Sequence, residues 1–189
     1  MSWIRTIEED DAEGRLAEVY ARIAARRGKV SNIMRVQSLA PEAMEAHLDL
    51  YLTLLFGSRG LSRAERELIA VVVSVENGCD YCTLHHAVAL EAWWKDAERV
   101  ARLRKDPAEA ELSQREAALA DYALALTRTP SRMNEADLGP LRDSGLTDEE
   151  ILEANLIASY FNFVNRIAEG LGVEVSPEEA RGYEYGSDP

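Results

Sequence analysis

Helical periodicity dominates the distribution of apolar and polar residues along the chain. Residues 11–27 carry a charged helical pattern that ends at Gly28, and an apolar pattern extends from Pro41 to Phe56, with Gly57 after it. Proline is favoured in the first turn of a helix, and glycine just after the last turn. Both segments are therefore predicted to be α-helices.

A Ser or Thr followed three positions later by Glu recurs along the rest of the chain. In such a capping box the hydroxyl and the carboxylate satisfy amides that the first helical turn leaves without partners. The pairs are Ser62 with Glu65, Ser113 with Glu116, Thr147 with Glu150, and Ser176 with Glu179. Each pair predicts a helix start. Pro130 is predicted to end the helix that begins at Ser113, and residues 134–144 to form a short helix with a kink at Gly139-Pro140.

Residues 68–75 are the only segment with a strand-like composition, LIAVVVSV. Their β-branched side chains favour a buried strand. A capping box nevertheless opens the segment and Asn77-Gly78 ends it, and its length suits a helix better. We therefore predict a helix from Ser62 to Glu76, a second from Cys79 to Trp94, and an all-α fold.

A weak internal repeat with an offset of 85 residues relates segment 61–94 to segment 146–171. Each copy is predicted to contain a capping box, an apolar helix, a break and a second helix. The reactive positions of the first copy are aliphatic in the second, where Leu152, Val164, Ile167 and Leu171 replace Glu67, Cys79, Cys82 and His86. We expect one helical domain over residues 1–189, in which the first pair carries the chemistry and the second is degenerate.

The charge of the chain limits its partners. With 34 acidic and 21 basic residues, the net charge is −13. Such a field repels nucleic acid and anionic lipid. No apolar run reaches the length of a membrane span, and the first residues lack the pattern of a signal peptide. We therefore expect a cytoplasmic protein that binds neither nucleic acid nor membrane.

Both cysteines of the chain lie in ELIAVVVSVENGCDYCTLHH, as a C-x-x-C pair at Cys79 and Cys82. In a reducing compartment such a pair is typical of catalysis or metal binding. The start of a helix follows Asn77-Gly78, so free amides and the helix dipole are expected to stabilise a thiolate there. The spacing also lets the two sulfurs close a disulfide without rearrangement of the scaffold.

Two kinds of side chain are candidates for proton transfer at this pair. His86 follows Cys82 by four residues and His85 by three, and spacing alone does not choose between them. Glu67 has two interpretations. On an apolar helix face its pKa would be raised and it would relay protons; alternatively it forms an exposed ion pair with Arg63, one turn earlier.

Metal binding is a minor alternative. C-x-x-C-x-x-x-H supplies three ligands, whereas a structural zinc site takes four. The only other histidines are His85 and the distant His47, and there is no second C-x-x-C.

The spacing E-x11-C-x-x-C-x-x-x-H, formed by Glu67, Cys79, Cys82 and His86, resembles the active-site motif of alkylhydroperoxidase D-like proteins in the carboxymuconolactone decarboxylase superfamily. The segment RELIAVVVSVENGCDYCTLHHAVAL resembles that family's core helix pair. Over GKVSNIMRVQSLAPEA and ASYFNFVNRIAEGLGVE the chain resembles the branch of peroxidase-related proteins.

The resemblance implies an all-helical fold that assembles into trimers or hexamers, and a cysteine-based peroxidase or disulfide reductase without haem or flavin. It implies that Cys82 is the peroxidatic cysteine and Cys79 the resolving one, and that Glu67 and His86 move protons. It also implies a hydroperoxide substrate and an external dithiol reductant, for which a lipoyl-bearing protein is one candidate.

The chain departs from the family pattern at Tyr81, which stands where well-known peroxidase members have a histidine. Tyrosine is a poor base at neutral pH, since its reference pKa is about 10, so the departure weakens the expected proton relay. Two alternatives to a peroxidase stay open: a dithiol–disulfide oxidoreductase with little peroxidase activity, and a zinc-stabilised or structural oligomer. Decarboxylation is disfavoured, because that branch generally lacks the cysteine pair.

Overall fold

A computed structural model describes residues 2–57, 60–176 and 178–180, and within them the chain forms nine α-helices and no strand. The all-α prediction is confirmed. The helices are α1 (Gly14–Arg27), α2 (Asn32–Arg35), α3 (Pro41–Phe56), α4 (Arg63–Glu76), α5 (Asp80–Trp94), α6 (Ala97–Lys105), α7 (Gln114–Arg128), α8 (Gly139–Asp143) and α9 (Asp148–Leu171). Short 3-10 turns occur at Glu9–Asp11, Pro107–Glu109, Pro130–Arg132 and Glu135–Leu138.

The capping residues account for most helix starts. Ser62, Ser113 and Thr147 each accept a bond from the amide three residues later, and the Glu side chain at that position returns one. Each cap contributes about 1 kcal/mol. The fourth predicted start differs, because residues 178–180 form a turn, although the Glu179 amide donates to the Ser176 hydroxyl at 3.1 Å. Pro177 lies outside the described residues.

Two predicted breaks have different outcomes. Gly139-Pro140 begins α8, directly after the 3-10 turn Glu135–Leu138. In contrast, the break predicted in the second repeat copy is wrong, because α9 is uninterrupted. The first copy breaks at Gly78, which has a left-handed φ of 69°. Phe163 stands at the equivalent position in the second copy, and a bulky residue does not favour that conformation.

Helix α4 lies at the centre of the molecule. It packs against α5, α7 and α9, and every residue from Leu68 to Ser74 is buried. A helix covered on all sides is apolar all round rather than amphipathic. Burial on every side therefore explains why a helix here carries the composition of a strand.

A smaller cluster forms beside this core, where α1 packs against α3. Its buried members are Leu16, Val19, Tyr20, Ile23, Val30, Met34, Met44 and Leu48. The two clusters leave a cavity between them. Among the described residues, no helix has both the length and the apolar character that crossing a bilayer requires.

Candidate functional site

The cysteine pair lies at the reversal between α4 and α5. Asn77 caps the end of α4, Gly78 turns the chain, and Cys79 is the N-cap residue of α5. The amide of Cys82 donates to Cys79 Sγ at 3.4 Å. Both cysteines are buried free thiols. The sharp reversal lays α5 back along α4 and so brings Glu67 beside His86.

Glu67 is fully buried and joins two basic side chains. One carboxylate oxygen lies 2.6 Å from His86 Nδ1. The other accepts bonds from Arg63 Nη2 at 2.6 Å and Nε at 2.8 Å. The predicted partner Arg63 is therefore correct, but the predicted exposure is wrong, because only 6% of the Arg63 side chain is exposed.

The expectation of a raised pKa for Glu67 is also wrong. Burial raises the pKa of this carboxyl, but the adjacent His86 and Arg63 oppose burial and bring the pKa below its ordinary value. Glu67 is thus a carboxylate at neutral pH. Its charge can orient His86 and stabilise a proton on that ring, rather than supply a proton itself.

The structure separates the two adjacent histidines. His86 contacts Glu67, and the edge of its ring meets Phe161 with centroids 4.5 Å apart. His85 lies over the ring of Tyr81, with centroids 4.4 Å apart. Burial, assisted by the cationic Lys29 and Arg27, lowers the pKa of His85 to about 3, so that His85 is neutral at pH 7.

A cavity of about 70 Å³ for water-sized molecules opens beside these groups. Cys82, Glu67 and His86 line it, whereas Cys79 does not. The remaining lining residues are Ile23, Arg27, Lys29, Ser31, Ile33, Met34, Leu48, Tyr51, Tyr81, His85, Ala89, Tyr160, Phe161 and Val164. The two cysteines therefore differ in access: Cys82 faces a space that a small molecule can enter, and Cys79 lies behind it.

Cys82 is not poised as a free thiolate in the resting pair. The neighbouring Cys79 sulfur and burial raise the pKa of the Cys82 thiol well above its usual range, and a hydrogen bond with Asn165 acts weakly in the opposite direction. The prediction of a thiolate stabilised by the helix start is thus wrong for Cys82. The contact with the Cys79 sulfur and burial are the largest causes, and the Cys82 amide itself donates to Cys79 Sγ.

Polar residues of α9 form hydrogen bonds with the end of α4, next to the cysteine pair. Asn165 donates to the Ser74 hydroxyl at 3.1 Å and accepts a bond from Asn77 at 2.9 Å. Asn162 also contacts Asn77, at 3.2 Å, whereas Arg166 is directed back at Asn162. Asn165 therefore stabilises the end of α4 just before the cysteine pair. This contact could not be predicted from the sequence, because Asn165 lies 83 residues beyond Cys82.

Tyr81, where the chain departs from the family motif, forms hydrogen bonds to two other segments of the protein. Its hydroxyl donates to Glu179 Oε1 at 2.9 Å and accepts a bond from the Ile33 amide at 3.3 Å. These contacts connect α5 to α2 and to the chain after α9. Tyr81 thus lines the cavity with its hydroxyl bonded to Ile33 and Glu179.

Several cavity residues were missed by sequence analysis. Arg27 lies over the rings of Tyr51 and Phe56, and Tyr160 extends from α9. None belongs to a local motif, because they come from three separate helices, α1, α3 and α9. Within the described residues, no three His, Cys, Asp or Glu side chains converge so that they could hold a metal ion.

Comparisons with known proteins bear on the family and the fold. The family model of the carboxymuconolactone decarboxylase family matches residues 41–125, which contain the whole α4–α5 hairpin. No curated protein shows significant similarity to the chain.

Two solved structures resemble the whole chain. An uncharacterized peroxidase-related protein with an alkylhydroperoxidase AhpD core, from Ralstonia eutropha JMP134, is 25% identical, with 97% of this chain and 98% of that chain covered and a TM-score of 0.85. An uncharacterized peroxidase-related protein from Silicibacter sp. TM1040 is 27% identical, with 95% and 94% covered and a TM-score of 0.86.

A third structure is more distant in sequence. The debrominase Bmp8, in a cysteine-to-alanine variant bound to 2,3,4-tribromopyrrole, is 17% identical, with 95% of this chain and 96% of that chain covered and a TM-score of 0.78. At this identity the likeness concerns the fold alone. Residues 41–125 thus resemble the carboxymuconolactone decarboxylase family, and the whole chain is similar in fold to the two peroxidase-related structures.

Proposed function

We propose that this protein is a cysteine-based peroxidase that reduces hydroperoxides through Cys82 and Cys79. The observation that carries the proposal is the asymmetry of the pair: Cys82 lines the cavity together with His86 and Glu67, and Cys79 lies behind it. A substrate entering the cavity therefore meets one sulfur and one acid–base group. The second sulfur is three residues away along the chain, next to the first.

His86 is the base in this proposal. Its Nδ1 faces the Glu67 carboxylate at 2.6 Å, so the neutral ring carries its hydrogen on Nδ1 and leaves Nε2 free to take a proton. The raised pKa of Cys82 makes such a base necessary, since little thiolate is present at rest. The buried charge of Glu67 stabilises the imidazolium that forms.

His86 takes the proton of the Cys82 thiol, and the thiolate attacks the terminal oxygen of the hydroperoxide. The O–O bond breaks, the leaving alkoxide takes the proton from His86, and Cys82 becomes a sulfenic acid. The Cys79 thiol then attacks that sulfur and water departs, which leaves a disulfide. An external dithiol reduces the disulfide by exchange and is itself oxidised.

Resemblance to the family supports two further parts of the proposal. We propose a lipoyl-bearing protein as one candidate for the dithiol donor, and assembly into trimers or hexamers in the cytoplasm. Exposed apolar side chains on α9, namely Leu152, Leu156 and Phe163, support assembly, since they form a surface suited to burial against another chain. Light scattering of the purified protein measures the oligomer size.

The test is peroxide consumption by purified protein with a dithiol as the reductant. Tert-butyl hydroperoxide and hydrogen peroxide serve as substrates, and dithiothreitol and dihydrolipoamide as donors. We expect turnover by the native protein and none by Cys82→Ser. In Cys79→Ser, one equivalent of peroxide should convert Cys82 to a sulfenic acid that dimedone traps, without turnover.

Other outcomes favour the alternatives. Rapid reduction of a small disulfide with negligible peroxide consumption would favour a dithiol–disulfide oxidoreductase. One zinc per chain, with thiols that do not titrate, would favour a zinc-stabilised oligomer. Peroxidase activity that survives in Cys82→Ser would contradict the proposed chemistry.

A further inference from the structure

A series of hydrogen bonds leads from outside the cavity to Tyr160, one of the residues that line it. Tyr160 lines the cavity, and its hydroxyl lies 2.7 Å from His47 Nε2. His47 Nδ1 in turn lies 2.8 Å from the amide nitrogen of Gln37. His47 and Tyr160 are both buried, with 4% and 5% exposed. The proposed peroxidase steps use none of these three residues.

The direction of these hydrogen bonds follows from the contact that Gln37 makes at the far end of the series. The Gln37 amide nitrogen also lies 2.7 Å from the backbone carbonyl of Ile33, which can only accept. The atom there is therefore the NH2 group, and its second hydrogen is directed at His47 Nδ1. The Gln37 oxygen is farther from the same ring nitrogen, at 3.2 Å. The opposite tautomer would set two N–H groups against each other at the shorter contact.

His47 consequently carries its hydrogen on Nε2 and donates it to the Tyr160 oxygen. Burial lowers the pKa of His47 to about 4, so this single-proton form holds at pH 7. Tyr160 keeps its own proton, because burial, assisted by Tyr51 and Cys82, raises the pKa of its phenol well above the usual value. Among the described residues, the Tyr160 hydroxyl has no hydrogen-bond partner other than His47.

We propose that the Tyr160 hydroxyl, held from behind by His47 and Gln37, donates a hydrogen bond to the oxygen that departs when Cys82 attacks a hydroperoxide. This inference rests on the proposed peroxidase function. Tyr160 keeps its proton throughout and stabilises the negative charge that develops as the O–O bond breaks, while His86 supplies the proton. A donor aligned beforehand costs no rearrangement at that moment.

The test compares substrates whose leaving groups differ in basicity. Tert-butyl hydroperoxide releases a strongly basic alkoxide, whereas peracetic acid releases a weakly basic carboxylate. In Tyr160→Phe we expect kcat/KM for tert-butyl hydroperoxide to fall about 10- to 100-fold, with a much smaller loss for peracetic acid. Alkylation of Cys82 by iodoacetamide should change less than about twofold, because no oxygen departs in that reaction.

Two further variants complete the experiment. Tyr122→Phe deletes another buried hydroxyl, which accepts a bond from Asn155 at 2.7 Å outside the cavity, and should preserve the wild-type ratio between the two substrates. His47→Asn, which removes the positioning group, should give the Tyr160→Phe pattern in weaker form and serves if Tyr160→Phe does not fold. If Tyr160→Phe and His47→Asn both reduce the two peroxides with the wild-type ratio of rates, this inference alone is overturned. A wild-type protein that is alkylated but reduces no peroxide would overturn the proposed function as well.

Discussion

The Glu67 carboxylate lies 2.6 Å from His86 Nδ1, and the two residues meet although 19 positions separate them. Helix α4 carries the first and α5 the second, and the turn at Gly78 brings them together. The contact fixes which ring nitrogen of His86 can accept a proton. It also places a buried carboxylate where it orients the His86 ring.

Glu67→Gln should remove that charge while keeping the shape of the side chain. We expect the rate of peroxide reduction to fall about 10- to 100-fold, because His86 loses the carboxylate that orients its ring. The free energy of unfolding should fall by about 3 kcal/mol, since Arg63 is left buried without its partner charge. Peroxide kinetics and urea unfolding measure the two effects.

Glu153→Gln is the matched control for this change. Glu153 is also a buried carboxylate, 2.9 Å from Arg66, but it does not line the cavity. This variant should lose comparable stability and retain its rate. An equal loss of rate in both variants would mean that Glu67 acts only through stability.

The two adjacent histidines should differ strongly on substitution. We expect His86→Asn to lower turnover by about 100-fold or more, as for loss of a general base. His85→Asn should lose at least tenfold less, because His85 contacts Tyr81 rather than Glu67. Steady-state rates with a dithiol donor make the comparison, and a reversed order would show that the wrong histidine has been assigned.

Cys79 should control the ionisation of Cys82. Because the Cys79 sulfur is the largest cause of the raised pKa of Cys82, Cys79→Ala should lower that pKa and increase the alkylation rate of Cys82 at pH 7 several-fold. Cys79→Ser keeps a side chain able to cap α5 and separates capping from the sulfur effect. A slower alkylation in Cys79→Ala would contradict the prediction. Iodoacetamide rates against pH provide the measurement.

Stability should decline below pH 6.5 because of His47 and His85. The folded pKa values are about 4 and about 3, both below the ordinary value of 6.5. Between these values the unfolded chain binds protons that the folded protein does not, so acid favours unfolding. From pH 7.5 to pH 5 each histidine should cost about 2 kcal/mol. Urea unfolding at both pH values measures the loss, and His85→Asn should remove about half of it. A variant with the full wild-type loss would exclude His85 as a cause.

Gly78 and Gly139 form a matched pair for the cysteine turn. An added Cβ meets no atom within 4 Å at either position, but only Gly78 has a positive φ, 69°. Gly78→Ala should therefore cost about 1 kcal/mol through backbone strain alone. Gly139→Ala should be neutral or slightly stabilising, since its φ of −54° is helical. Thermal unfolding distinguishes the two, and equal effects would remove the argument from backbone conformation.

Much of the fold is determined by local chemistry. The bounds of α3, α4, α5 and α7 follow from Pro41, Ser62, Ser113 and the Asn77-Gly78 break, because caps and breaks act within a few residues. The missed helix α6 has a non-hydroxyl cap, Asp96, and a mostly charged sequence, so it lacks the signals that marked the others. For α9 the error is the reverse. The weak internal repeat predicts a break there, although Phe163 and not a glycine stands at the position equivalent to Gly78.

For the candidate site, the sequence by itself determined the four residues that spacing places on one helical hairpin: Glu67, Cys79, Cys82 and His86. Only the tertiary structure decided their environments, because burial and charge depend on groups that arrive from other helices. Packing encloses Arg63 beside Glu67, and this pair lowers a pKa that an apolar helix face alone would raise. Tyr160 and Asn165 from α9 enter the site in the same way, across a distance in sequence that no local pattern spans.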